Sequence, residues 1–203
     1  AGVVVVSINY RLGALGFLGH EALRERDPDT GSTGNYGLLD TIFALDWVRK
    51  NAKALGGDAD RVTIFGQSSG AGSVSQLMTI EASWHLFNRA IMESGSGGFW
   101  TYVSMAAAER NFATVKAQVG CESHAVSCLL NASSTALADA VTAVPCRDGC
   151  TWAPVVDGAL VDGRVVRRAR QGLVRPNTST ISGFNLNDGA MFVSGYPAAL
   201  EAM

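Results

Sequence analysis

Apolar positions along the chain follow two rhythms, short unbroken runs and helical repeats, and the two alternate. Residues 3–9, opening on Val3, Val4, Val5 and Val6, are β-branched on both faces, which predicts a central parallel strand. Residues 61–65 and 89–92 repeat that signal, and residues 178–183 give a last strand. Between these runs, Leu38, Leu39, Ile42, Leu45, Trp47 with Val48, and Ala52 recur at helical spacing until Gly56-Gly57-Asp58 stops the helix. Further helices are predicted up to about Thr79, over 104–119 with an Ala-rich first turn, from a Ser133 or Ser134 cap to Val144, and over 162–171 with Gly172 closing it. Gly13, Gly16 and Gly19 punctuate a predicted loop that runs to Gly34. Strands alternating with helices predict an α/β fold with a mainly parallel central sheet. No repeat or low-complexity linker interrupts it, so residues 1–203 read as a single domain.

Composition narrows the function classes. With 47% hydrophobic and 17% charged residues, the 203-residue chain has enough apolar side chains for a sizeable core. A net charge of −2 gives no electrostatic case for nucleic-acid binding. No apolar run approaches the roughly 18 residues of a membrane span. The chain starts without Met in an apolar strand and ends at Glu201-Ala202-Met203 with no closing feature, the pattern expected of an internal piece of a longer protein. Four cysteines form two close pairs, Cys121 with Cys128 and Cys146 with Cys150, and the spacing favours two local bridges over free buried thiols. Metal binding is disfavoured, because only His124 lies at ligand spacing from either pair. Two sequons, at Asn131 and Asn177, fit a secreted glycoprotein.

The chemistry concentrates at Gly66-Gln67-Ser68-Ser69-Gly70, which follows the apolar run 61–65 and opens a small-residue stretch. A serine on a sharp strand-to-helix turn sits in strained backbone, and small neighbours relieve the crowding. Its hydroxyl stands clear of the sheet as a nucleophile, and the Ser69 N–H at the helix start faces an oxyanion formed there. Gly and Ser are common in ordinary turns, so the flanking strand and helix give this motif its weight.

Several separated blocks occur in a recognisable order. They are Asn9-Tyr10-Arg11-Leu12-Gly13, Gly34-Asn35-Tyr36-Gly37-Leu38-Leu39-Asp40, Ala44-Leu45-Asp46-Trp47-Val48, the run into Ser68, Ser94-Gly95-Ser96, and Pro154-Val155-Val156-Asp157-Gly158. Together the chain resembles the type-B carboxylesterases, the family that includes cholinesterases and fungal lipases. The resemblance runs to 183–192 and thus covers nearly the whole chain. It implies a partial α/β-hydrolase domain lacking N-terminal and C-terminal parts. It also implies hydrolysis of small carboxylic esters through an acyl-enzyme, a Ser–acid–His triad and no cofactor.

Ser68 matches the family nucleophile, and Asp188 in Asn187-Asp188-Gly189 stands where the family usually has Glu. A helix N-cap is the alternative role for Asp188. The fold's order is Ser, acid, His, yet none of the 15 residues after Asp188 is His. His20, His85 and His124 precede the acid and fall in a glycine-rich loop, a structural turn and the Cys121–Cys128 loop. The family's Gly-Gly oxyanion donors belong upstream of residue 1, which leaves Ser69 N–H as the one assignable donor.

Gln67 replaces a common family Glu, which removes a negative charge beside Ser68 and predicts a weakened preference for cationic esters. The bland alternative is that Gln67 packs. Trp100 resembles an acyl-pocket aromatic and, with Phe99, would wall a small apolar pocket; a core Trp is the competing reading. The resemblance also implies a buried Arg11–Asp40 ion pair beneath the active-site loops. Arg164, Arg167, Arg168 and Arg170 read as a solvated helix face. A rival to the enzyme is a non-catalytic adhesion or interaction domain of the same fold.

Overall fold

Three parallel strands carry the site, and the elements around them alternate as the sequence predicts. The computed structural model describes residues 2–122, 124–145 and 152–193. Helices α1 (Gly13–Phe17) and α2 (Tyr36–Asn51) precede β1 (Thr63–Gln67), and α3 (Ser69–Leu77) leads towards β2 (Arg89–Glu93). A short strand β3 (Val103–Ser104) runs into α4 (Met105–Val119), followed by α5 (Ala125–Asn131) and α6 (Ser134–Thr142). Then come β4 (Val155–Val156), α7 (Val165–Arg170), β5 (Ser179–Gly183) and α8 (Ala190–Val193). The main sheet has the order β1-β2-β5, all parallel, while β3 and β4 make a separate parallel pair.

Helix α3 lies on one face of that sheet. Ile64 and Ala90 point to this side and pack with Val74, Leu77, Leu86 and Phe87, and Ile42 and Leu45 of α2 join them. A second cluster sits among α4, α5 and α6, where Phe112, Val115, Leu129 and Ala140 enclose Leu18 and Leu23. The Cys121–Cys128 disulfide closes the edge of this cluster, as the close spacing predicts. Cys146 and Cys150 lie outside the described residues. Local chemistry sets the helix ends: Ser104 Oγ accepts from Ala107 N–H to start α4, and Ser133 Oγ accepts from Ala136 N–H to start α6. Gly120, at φ 79°, ends α4 in the left-handed region that glycine occupies at least cost.

The opposite face of the sheet is open. Phe65, Ile91 and Ile181 stand side by side in register on it, with Phe65 59% and Ile181 65% exposed.

Two of the sequence blocks, 120 positions apart, clasp each other. The Asn35 amide donates to Val155 O at 2.9 Å and accepts from Val155 N–H at 2.8 Å, imitating a strand neighbour. Beside it the Asp157 carboxylate accepts from Ser32 Oγ, Thr33 N–H, Ala159 N–H and Val161 N–H. Both side chains are buried with their polar atoms satisfied, the condition under which burial of such groups is tolerated.

Three expectations need correction. Residues 3–9 form no strand and pair with none among the described residues, and their valines are exposed. A parallel strand exists only beside a partner, and the sheet here stops at β1. The stretch from Gly13 is helical rather than loop, because Gly13 at φ 56° turns the chain into α1. Arg168 is not part of a solvated face. Its side chain is 11% exposed, pairs with Asp162 at 2.6 Å and donates to Thr79 O, whereas Arg164, Arg167 and Arg170 are exposed.

Candidate active site

Strand β1 ends in Gln67, and the next residue adopts φ 54° and ψ −118°, a conformation that L-residues rarely hold. Both backbone groups of Ser68 are committed. Its N–H donates to Glu93 O at 2.9 Å, extending the β1–β2 ladder, and its carbonyl accepts from Gly72 N–H at 3.0 Å in the first bond of α3. The strain is thus fixed from both sides by regular structure.

The flanking glycines answer to different demands. A Cβ on Gly66 would stand 2.5 Å from the carbonyl carbon of Gly70, so β1 and α3 meet too closely for any side chain there. A Cβ on Gly95, in the turn after β2, would meet Ser68 O at 2.6 Å. Gly70 itself has open space around it.

Ser68 occupies the N-cap position of α3, where serine ordinarily spends its hydroxyl on a backbone N–H. Ser104 and Ser133 do so on α4 and α6. Ser68 does not: its positive φ swings the side chain away, and the hydroxyl has no hydrogen-bond partner among the described residues. Ser69 begins α3, so its N–H is among the helix's unpaired amino-terminal donors. Ser68 is half-buried, while Gln67 and Ser69 are exposed.

Ser94 mirrors Ser68 on the neighbouring strand, with φ 50° and its N–H on Gly183 O at 2.8 Å. Strand β5 then leaves the sheet into the turn containing Asp188, whose N–H bonds to Asn185 O. Asp188 is half-buried, and its carboxylate has no hydrogen-bond partner among the described residues. Ser68 and Asp188 therefore sit beyond the carboxyl ends of strands two places apart in one sheet. A spacing of about 4.8 Å per strand separates those strand axes by roughly 10 Å.

The three histidines lie on other elements. His20 stacks on Phe112 with ring centroids 4.2 Å apart and accepts from Ala22 N–H through Nδ1. His85 lies before the amino end of β2, in a crevice shared with Trp84, Asn88 and Arg175. His124 starts α5, where its carbonyl accepts from Cys128 N–H and Ser127 Oγ.

The indole of Trp100 packs over Gly95 and Gly72, beside the Ser68 elbow between β1 and α3: its Cη2 is 3.2 Å from the place of a Gly95 Cβ, and its Cζ3 is 3.9 Å from that of Gly72. Arg11 and Asp40 form the expected pair, with Nε–Oδ2 at 2.8 Å and a terminal nitrogen on Oδ1 at 2.7 Å. The pair is not buried, since the Arg11 side chain is 52% exposed. Hydrogen bonds from the guanidinium hold the Asp40 carboxyl below its ordinary range despite partial burial, and Arg11 N–H adds to the effect. Among the described residues no cluster of metal-ligating side chains forms, and no helix is long and apolar enough to cross a membrane.

A parallel sheet flanked by helices, with a strained serine between a strand and the following helix, is the architecture of an α/β-hydrolase. Comparison with known proteins gives the family. The chain belongs to the carboxylesterase family, whose sequence model matches residues 1–202. It is 52% identical over 93 residues to the fumonisin B1 esterase of Sphingopyxis macrogoltabida, covering 46% of this chain and 17% of that protein. It is 33% identical to cholinesterase 2 of Branchiostoma lanceolatum, over 95% of this chain and 56% of that one. Neuroligin-2 of Mus musculus is 37% identical over 94% of this chain and 22% of its own length. Among solved structures, a carboxylesterase of Geobacillus stearothermophilus superposes with a TM-score of 0.81 at 30% identity, over 95% of this chain and 39% of that one. The chain thus spans 17% to 56% of the length of these relatives.

Proposed function

We propose that the full-length protein carrying these residues hydrolyses small carboxylic esters through an acyl-enzyme, and that residues 1–203 are one partial α/β-hydrolase domain of it. The observation that carries this reading is the serine at the α3 N-cap whose hydroxyl is withheld from capping. Ser68 Oγ attacks the acyl carbon while a histidine from elsewhere in the polypeptide takes its proton. That histidine then protonates the departing alkoxide. Ser69 N–H, with further donors outside this segment, hydrogen-bonds the tetrahedral oxyanion; one such donor is worth about 2.7–4 kcal/mol of barrier. Asp188 orients the imidazole, and water releases the acid in the second half-reaction. Trp100 walls the acyl pocket, and Gln67 removes the negative charge that a Glu would place next to Ser68. No cofactor enters this scheme.

The Cys121–Cys128 disulfide supports a secretory-pathway origin, since such bonds persist in oxidising compartments. In that setting Asn177 and Asn131 are candidate glycan sites, and Cys146–Cys150 a second local bridge.

A fluorophosphonate probe tests the central claim on the full-length protein. Peptide mapping should find the adduct on Ser68, and Ser68→Ala should lose both adduct and hydrolysis of p-nitrophenyl acetate. A probe that leaves Ser68 unmodified in folded protein would refute the esterase. The 203-residue chain alone should show little turnover, because no described histidine adjoins Ser68.

The likeness to neuroligin-2, whose name specifies no hydrolase, favours a second reading as an interaction domain. A folded full-length protein that binds a protein partner while Ser68 stays inert would select it.

A further inference from the structure

Gly72 and Gln76 lie four residues apart on α3, so they share one face of the helix that Ser68 caps. The short turn Phe99–Thr101 is seated along that same face. At Gly72 the approach leaves no space: an added Cβ would stand 2.9 Å from Thr101 Cγ2 and 3.1 Å from Thr101 Cβ. One turn further on, Gln76 is fully buried and its Nε2 donates to Thr101 O at 3.3 Å. Gln76 Oε1 has no hydrogen-bond partner among the described residues. The turn is otherwise closed on itself, with Thr101 N–H and Oγ1 both donating to Gly98 O.

We infer that Gly72 and Gln76 are positioning residues for acyl specificity: they form the seat that sets how far the Trp100 indole stands from Ser68. This deepens the esterase reading and rests on it. The seat and the nucleophile are tied to one helix, because Gly72 N–H also donates to the Ser68 carbonyl. Any change in how Thr101 beds on α3 therefore moves the indole relative to the reactive oxygen rather than together with it. The two contacts differ in kind. Gly72 is a hard stop, so a methyl there must push Thr101, and with it Trp100, off the helix. Gln76 holds by one long hydrogen bond, with its second polar atom unmatched.

The outcome is a wider acyl pocket in Gly72→Ala. A methylene in an apolar pocket commands roughly tenfold or more in kcat/KM, so the ratio of hexanoyl to acetyl p-nitrophenyl ester hydrolysis should rise by about that factor. The test uses the full-length protein and four forms: wild type, Gly72→Ala, Trp100→Ala and the double variant. Coupling is expected. The Gly72→Ala shift in chain-length preference should vanish once the indole is gone, a non-additivity that direct damage to the elbow would not produce. A shift that persists undiminished in the Trp100→Ala background, or equal losses for both esters, would overturn the inference. If Gly72→Ala does not fold, Gln76→Met answers the same question, with a smaller shift in the same ratio expected and no shift overturning it. Wild-type labelling of Ser68 by an ethyl fluorophosphonate is read alongside. Its absence would refute the esterase itself, whereas labelling without coupling would refute only the seat.

Discussion

The side chain of Asn35 holds the backbone of Val155 by two hydrogen bonds, one given and one received, across 120 residues of sequence. Both residues are fully buried, so neither backbone group of Val155 can turn to water instead. Asn35→Ala would strand a buried N–H and a buried carbonyl, each costing about 1–3 kcal/mol. We expect a loss of about 2–6 kcal/mol in urea unfolding of the full-length protein. A loss below about 1 kcal/mol would mean that water or another group takes over both bonds.

The two motif glycines should respond oppositely to a methyl group. Gly66→Ala must force β1 from α3, because the new carbon would lie 2.5 Å from Gly70 C. We expect fluorophosphonate labelling of Ser68 to fall by at least about 100-fold, the penalty that a small misplacement of reacting groups can carry. Gly70→Ala meets nothing within 4 Å in the described structure and should label within a few-fold of wild type. Equal losses at the two positions would show that the surroundings of Gly70 are filled in the whole protein.

Acid should weaken the Arg11–Asp40 link. The guanidinium lowers the carboxyl's folded pKa below its ordinary value of 3.8. The pair's contribution is therefore complete above the unfolded pKa near 4 and is lost as pH falls through the lower folded value. Exposure of Arg11 keeps it small. Asp40→Asn should lose stability less steeply than wild type as pH falls below about 4. Parallel curves for the two proteins would show that Asp40 does not titrate with folding.

The two sequons differ in what their amides already do. Asn131 Nδ2 donates to Ser127 O at 2.8 Å, and Ser133 Oγ caps α6. Asn177 is exposed in a turn at φ 53° and has no hydrogen-bonded amide among the described residues. In a secretory host, glycopeptide mapping should find sugar at Asn177 and bare Asn131. The reverse pattern would mean that acceptor choice is made before these contacts form.

The legible parts of the fold were those set by local chemistry. Apolar runs located β1 and β2, an Ala-rich first turn located α4 and a serine cap located α6, because each signal acts within a few residues of where it is read. The elbow was legible for the same reason. What escaped is non-local. Residues 3–9 carry a strand's composition, yet a strand is made by its neighbours, and none of the described strands pairs with them. Arg168 looks like its neighbours in sequence and becomes buried only because Thr79 and Asp162 wait above it. Gln76 gave no signal, as nothing in its surrounding sequence announces the approach of Thr101. At the site, spacing found Ser68 and family order pointed to Asp188. That their free groups lie two strands apart emerged only from the pairing of β2 with β5.

Phe65 precedes Ser68 by three positions and turns its ring to the uncovered side of the sheet, beside Ile91 and Ile181. A layer resting on that ring would press on the root of the bend that carries Ser68. Under the esterase reading proposed above, the stiffness of that bend would depend on packing beneath the sheet, and a poorly seated layer would blunt hydrolysis while leaving the Trp100 wall intact.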